Sequence, residues 1–244
     1  MVKRGDMMSI EDVIDILGEQ RRSFMEYSRS FSRVTHSHAR KIWLDCTIAQ
    51  TPRHLPSETA DALYLAPMLP SVQLQYARWA KERGLFVCAD TSEFFAEHDA
   101  SSLKELAGAC DVFMPSDVEL NAMYPEFEGD LEKTARQLFA QGNRMLVVKQ
   151  AAQGCSIFDF SQHKRYAVGI RSTEVVDATG AGDSYNGAFL SAWLNGESLS
   201  LSARYAAAVA SLCIEQFSYS GVQNASREQA MALAEAVPVQ EEWL

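Results

Sequence analysis

Along most of the chain, short apolar runs alternate with longer stretches whose apolar positions recur at helical spacing. A buried parallel strand reads as the first pattern and an amphipathic helix as the second, so the alternation predicts βαβ units around a mostly parallel sheet. Strands are expected at 41–45 (KIWLD), 61–67 (DALYLAP), 85–90 (LFVCAD), 111–114 (DVFM) and 145–149 (MLVVK). Helices are expected at 71–84, where Ser71 offers a cap, Leu74, Ala77 and Trp79 share a face and Gly84 ends the run. Others fall at 101–110, at 116–124 as a short capped helix, and at 130–142, closed by Gly142. Beyond the turn QAAQG (150–154), the runs 155–160 and 164–168 flank SQH and predict an antiparallel hairpin at a sheet edge. TEVVD (173–177) reads as a strand, followed by helices at about 181–195, 198–217 and 226–236. Phe189, Trp193 and Leu194 form a stripe that reads as core.

The first forty residues resist this reading. SIEDVIDILGEQRRSFMEY fits a helix capped by Ser9, with Ile10, Val13, Ile14 and Leu17 on one face, and equally fits two strands turning at GEQ. Periodicity does not choose between them. The β-branched density before the turn and the polar–apolar alternation after it favour the hairpin.

Composition narrows the function classes. With 244 residues and 47% hydrophobic content, the chain has material for a substantial core, as one α/β domain or one large and one small. The net charge of −10, from 32 acidic and 22 basic residues without a Lys/Arg block, argues against nucleic acid as a partner. Five cysteines, Cys46, Cys88, Cys110, Cys155 and Cys213, stand singly with no CxxC spacing, as reduced residues of a cytoplasmic protein do. The amino terminus lacks the pattern of an export signal, and no run approaches the roughly 18 apolar residues a membrane span needs. No membrane partner is expected. His36 and His38 (HSH) lack a third ligand at metal-binding spacing and read as a surface strand or loop.

The stretch STEVVDATGAGDSYNGAFLSAWL (172–194) carries the chemistry. In open α/β sheets ligands collect where strands hand over to helix amino termini. Gly180, Ala181 and Gly182 leave no bulky side chain over the backbone, so N–H groups at a helix start converge on an anion with the helix dipole behind them. Asp183 is then placed to take a proton from a hydroxyl while those amides stabilise charge on a transferring group. The same glycines also suit a plain tight turn with Asp183 as a helix cap, and spacing alone leaves both readings open.

DATGAGDSYNGAFL resembles the carboxy-terminal signature of the ribokinase-like, or PfkB, family of carbohydrate kinases, and the likeness in element order runs from about Lys41 to Val237. The resemblance implies a three-layer α/β/α fold with a mostly parallel central sheet, an antiparallel edge hairpin and a partial β lid. It implies a kinase that moves the γ-phosphate of ATP, with Mg²⁺ and K⁺ as ions, to a hydroxyl of a small carbohydrate. By similarity Asp183 is the general base, and Gly180, Ala181 and Gly182 form the anion hole. Asp177 matches the aspartate of the monovalent-cation site, with Thr179 beside it, although Ala178 replaces the usual threonine. An ordinary carboxylate bonding loop amides is the equal alternative for Asp177.

DVFMPSDVEL resembles the family segment D-x-x-x-x-N-x-x-E, which places Glu119 at the metal-ordering position and Ser116 where the family has Asn. MLVVKQAAQG resembles the strand and glycine turn before the nucleotide-side hairpin, with Lys149 within reach of a phosphate, Gly154 retained and Ala151 in place of the first glycine. The following helix and Gly loop resemble the adenine wall, with Ala206, Ala207 and Gly221 as candidate wall residues and simple helix packing as the alternative.

Family members generally carry a longer amino-terminal portion that holds the sugar. Residues 1–40 are expected to be a remnant of the lid or of that segment, and 41–244 the nucleotide-binding and catalytic domain. An impaired, nucleotide-binding relic or interaction protein is the rival function. A sheet edge left exposed would favour a homodimer.

Overall fold

The computed structural model describes residues 25–27, 33–35, 61–217 and 220–244. The chain divides into two compact units, Met1–Leu55 and Pro56–Leu244. In the first, strands β1 (Met25–Tyr27) and β2 (Arg33–Thr35) pair antiparallel. Met25–Tyr27 lies in the expected second arm of the hairpin and finds its partner downstream. The expected first arm, the strand at 41–45, His36, His38 and Cys46 lie outside the described residues.

The second unit is built on a seven-stranded sheet ordered β3 to β9 in sequence. Strands β3 (Ala62–Leu65), β4 (Phe86–Ala89), β5 (Val112–Phe113) and β6 (Met145–Lys149) run parallel. Strands β7 (Cys155–Asp159), β8 (Lys164–Val168) and β9 (Val239–Trp243) continue it antiparallel. The hairpin therefore does not form the edge. Strand β9, which pairs with β8 at the end of the order, does, and it was unforeseen because its mostly exposed, charged VQEEW gives no buried-strand signal.

The crossovers carry α1 (Pro70–Glu82), the consecutive α2 (Glu93–His98) and α3 (Ala100–Ala109), then α4 (Asp117–Met123) and α5 (Leu131–Ala140). Crossovers between parallel strands are nearly always right-handed, so strands added steadily in one direction put these helices on one face of the sheet, and α1 packs on α3. The other face is covered by α6 (Ala181–Leu194) and α7 (Leu199–Ile214), followed by α8 (Ser220–Gln223) and α9 (Arg227–Ala234). Tyr185 and Phe189 of α6 and Ala203 and Ala206 of α7 share a core with Val112, Met114, Val147 and Ile157 of the sheet. No helix among the described residues is long and apolar enough to cross a membrane.

Several expectations need correction. Helix α1 is not capped by Ser71: Leu69 occupies the cap, and Pro70 begins the helix, where its missing N–H and fixed φ cost nothing. TEVVD is not a strand. Its Val176 and Asp177 amides donate to the Ile214 carbonyl at the end of α7, at 2.8 and 3.2 Å, so local β propensity yields to a tertiary acceptor. Leu194 is exposed at the end of α6, while Phe189 on the same helix is fully buried.

Candidate active site

The carboxyl ends of the parallel strands open onto a cavity of about 620 Å³. Its polar lining includes Asp90 after β4, Ser116 and Glu119 after β5, Lys149 at the end of β6, and Gly182 and Asp183 at the start of α6. Ile170, Val175, Ala207, Ala210 and Ile214 add apolar lining; Arg171 and Ser211 line the cavity too, with Arg171 Nε donating to Ser211 Oγ at 2.9 Å.

The start of α6 is open. Gly180 holds the cap position at φ 81, a left-handed conformation natural to glycine, and no side chain caps the helix. The Ala181 amide turns back to the Ala178 carbonyl at 3.3 Å. Gly182 and Asp183 follow within the first turn, where helix geometry supplies no intrahelical acceptor for their amides. Asp183 is exposed and lines the cavity, and no ion pair holds it among the described residues. A Cβ placed on Gly182 would lie 3.7 Å from Lys149 Nζ, so the ammonium sits against this turn.

The start of α4 faces the same cavity and is closed. Ser116 Oγ accepts the Glu119 amide at 3.2 Å, and Glu119 Oε2 accepts the Ser116 amide at 2.6 Å, a complete capping box. Burial, and then the negative charge of Asp90, push the Glu119 carboxyl up to about 7, while Lys149 pulls it down.

Behind these two helix starts lies a network the sequence reading missed. Lys149 Nζ donates to Asp90 Oδ2 at 2.6 Å, and Asn186 Nδ2 donates to the same oxygen at 2.6 Å and to the Tyr64 hydroxyl at 3.0 Å. Burial drives the Asp90 carboxyl upward, opposed by Lys149 and by the Thr91 amide. Burial and Asp90 likewise push the Tyr64 phenol up. The one local signal was Asn186, a polar residue one turn after Asp183 on the buried side of α6.

The remaining candidates divide. Gly154 and Ala207 line the cavity. Gly154 sits at φ 89, and a Cβ there would fall 2.0 Å from the Val168 carbonyl oxygen, so the hairpin start needs glycine. Ala151, where the family has glycine, is forced to φ 47. Gly180, Thr179 and Asp177 are not among the cavity-lining residues. Asp177 Oδ1 accepts the Thr179 amide at 2.9 Å and so shapes the loop before α6. Gly221 is also off the cavity: a Cβ there would meet the Leu212 carbonyl oxygen at 1.8 Å, which makes it a packing glycine between α8 and α7.

A helix start open toward a cavity at the carboxyl ends of parallel strands is the place where α/β proteins commonly bind ligands. The pfkB carbohydrate kinase family matches residues 42–226, and the chain belongs to that family. It is 29% identical over 167 residues to a nucleoside kinase of Methanothermobacter thermautotrophicus, covering 68% of this chain and 52% of the relative. It is 29% identical over 148 residues to ribokinase of Arabidopsis thaliana, covering 59% of this chain and 38% of the relative. The chain thus spans about half the length, or less, of these curated relatives. Among solved structures, ribokinase from Thermotoga maritima superposes with a TM-score of 0.66 at 20% identity, covering 88% of this chain and 69% of that one. The nucleoside kinase of Methanocaldococcus jannaschii gives a TM-score of 0.68 at 18% identity, covering 87% of this chain and 67% of that one. These two likenesses are likenesses of fold.

Proposed function

We propose that the protein is an ATP-dependent kinase that phosphorylates a hydroxyl of a small carbohydrate, a ribose-type sugar or a nucleoside. One observation carries the reading: exposed Asp183, the uncapped turn of α6 and Lys149 converge on one cavity. The Asp183 carboxylate takes the proton of the acceptor hydroxyl as its oxygen attacks the γ-phosphorus. The new O–P bond forms as the bond to the β–γ bridging oxygen breaks, and ADP leaves with that oxygen. The first-turn amides of α6 and the Lys149 ammonium hold the charge on the migrating group. The apolar lining from Ile170, Val175 and Ala210 suits the flat face of a nucleobase. The names of the relatives, a nucleoside kinase and a ribokinase, support the acceptor class.

The residues also fit Mg²⁺. Among the described residues no three His, Cys, Asp or Glu side chains converge as a cage, and Mg²⁺ ordinarily keeps several waters beside one or two carboxylates and phosphate oxygens. Glu119, half-buried and lining the cavity, is the carboxylate that would hold it, in its ionised form. The ion would supply neutralisation of the phosphate charge. Asp177 and Thr179 are the residues assigned to K⁺, a role that must coexist with their hydrogen bond to each other.

A second reading, nucleotide binding without turnover, is favoured by the capping box, in which Ser116 and Glu119 spend polar atoms on each other. The two separate in one experiment. Purified protein is incubated with ATP, Mg²⁺, K⁺ and a panel of sugars and ribonucleosides, with Asp183→Asn as control. Acceptor-dependent ADP release that disappears in the control is the expected result. ATP binding without such release selects the second reading.

A further inference from the structure

The turn that carries Asp183 is moored to the sheet through buried polar groups contributed by distant segments. Asp90 stands at the centre of this mooring, 3% exposed. Its Oδ1 accepts the Thr91 amide at 2.8 Å, and its backbone carbonyl accepts Gln73 Nε2 at 2.8 Å. The same Gln73 amide also reaches the Ala66 carbonyl at 2.9 Å, so the ends of β3 and β4 are clamped together and the Asp90 carboxylate has a fixed origin. From there Oδ2 accepts both Lys149 and Asn186. Lys149 has a flexible stem, and its ammonium would wander among rotamers without such a partner.

A buried ion pair is weak as a pure stability device, because an apolar pair of similar volume usually serves as well. This pair lies on the wall of a cavity that faces an anion cradle, where a fixed cation has a use. We propose that Asp90 is a positioning residue: it holds the Lys149 ammonium against Gly182 and, through Asn186, fixes the helical turn that presents Asp183. The proposal rests on the phosphoryl-transfer reading above. Asp90 also neutralises Lys149 while the cavity is empty, so position and charge have separable consequences.

The test measures affinity for inorganic tripolyphosphate by calorimetry, together with kcat and KM for ATP, in wild type, D90N, D90E and K149M. K149M weakens tripolyphosphate about tenfold or more, as loss of a hydrogen bond to a charged group does. D90N leaves Lys149 without its counter-charge and binds tripolyphosphate severalfold more tightly, yet its kcat falls about tenfold or more because the ammonium is no longer held. D90E keeps the charge but displaces it: affinity stays within about twofold of wild type while kcat falls about tenfold. Unchanged tripolyphosphate affinity in both D90N and K149M, with only thermal stability lowered, marks a purely structural pair and overturns the proposal. Should D90N not fold, D90E decides, and wild-type kcat in that variant overturns the proposal. A wild type that binds tripolyphosphate without acceptor-dependent ADP release sinks the kinase reading alone, and the affinities of D90N and K149M then decide on Asp90. A wild type that does not bind tripolyphosphate overturns both.

Discussion

Two helices begin at the same cavity and treat their first amides in opposite ways. At α4, Ser116 and Glu119 satisfy each other's amides and Asp117 Oδ1 accepts that of Val118, so side chains hold three of the helix's first amides. At α6, Gly180 provides no side chain at all, and Gly182 and Asp183 line the cavity with no side-chain cap on the helix start. Glycine at a cap costs only roughly a few tenths of a kcal/mol relative to serine or aspartate, so α6 leaves its first amides uncapped at little cost to stability. Under the proposed function, the open start is the end of the cavity where an external anion would take the place of the missing cap.

The largest expected effect bears on the open start. Asp183→Asn lowers acceptor-dependent turnover by about 10²–10⁴-fold, the usual range for a lost general base, while thermal stability stays near wild type because the side chain is exposed. A steady-state assay beside a melting curve checks both halves.

The next concerns the closed start and its pH dependence. The Glu119 carboxyl is raised in the folded protein from 4.5 to about 7. Between those values the unfolded chain has released the proton and the native state still holds it, so stability falls as pH rises through the window and levels off above it. The contribution is on the order of 3 kcal/mol. Urea titrations from pH ~4 to ~8 should show a downward slope that flattens in Glu119→Gln. A slope unchanged in that variant places the burden on another group.

Ser116→Ala removes the hydroxyl that caps α4 and costs about 1 kcal/mol by urea denaturation. Ala151→Gly is the smallest change and has the opposite sign: relief of the left-handed backbone at φ 47 stabilises by about 0.5–1 kcal/mol. An Ala151→Gly protein no more stable than wild type contradicts the strain assigned to that turn.

What the sequence revealed follows the range of the interaction. The cap at Ser116, the stop at Gly142 and the turn before α6 are local arrangements, written within a few neighbouring residues. The strands β4 and β6 were legible because each buries a continuous apolar run. Helix α2 was missed because it is a single short stretch whose cap residue, Ser92, makes no capping bond. The TEVVD segment misled because its amides find their acceptor on α7. The mooring of Asp90 escaped for the same reason on a larger scale: Asn186 lies 96 positions from Asp90 and 122 from Tyr64. Nothing within a window of the sequence links them. Candidate residues taken from the motif divide along that line too, since Gly182 and Asp183 meet at the cavity while Gly221 is absorbed by helix packing.

The open helix start can be observed directly. In ¹⁵N-labelled protein titrated with a non-hydrolysable ATP analogue in the absence of Mg²⁺, so that no cation perturbs Glu119, the account predicts the largest amide shifts at Gly182 and Asp183, with the Ser116 and Glu119 amides moving much less. The reverse pattern, with Ser116 and Glu119 shifting most and Gly182 and Asp183 unmoved at saturation, would contradict the assignment of α6 as the phosphate-holding end.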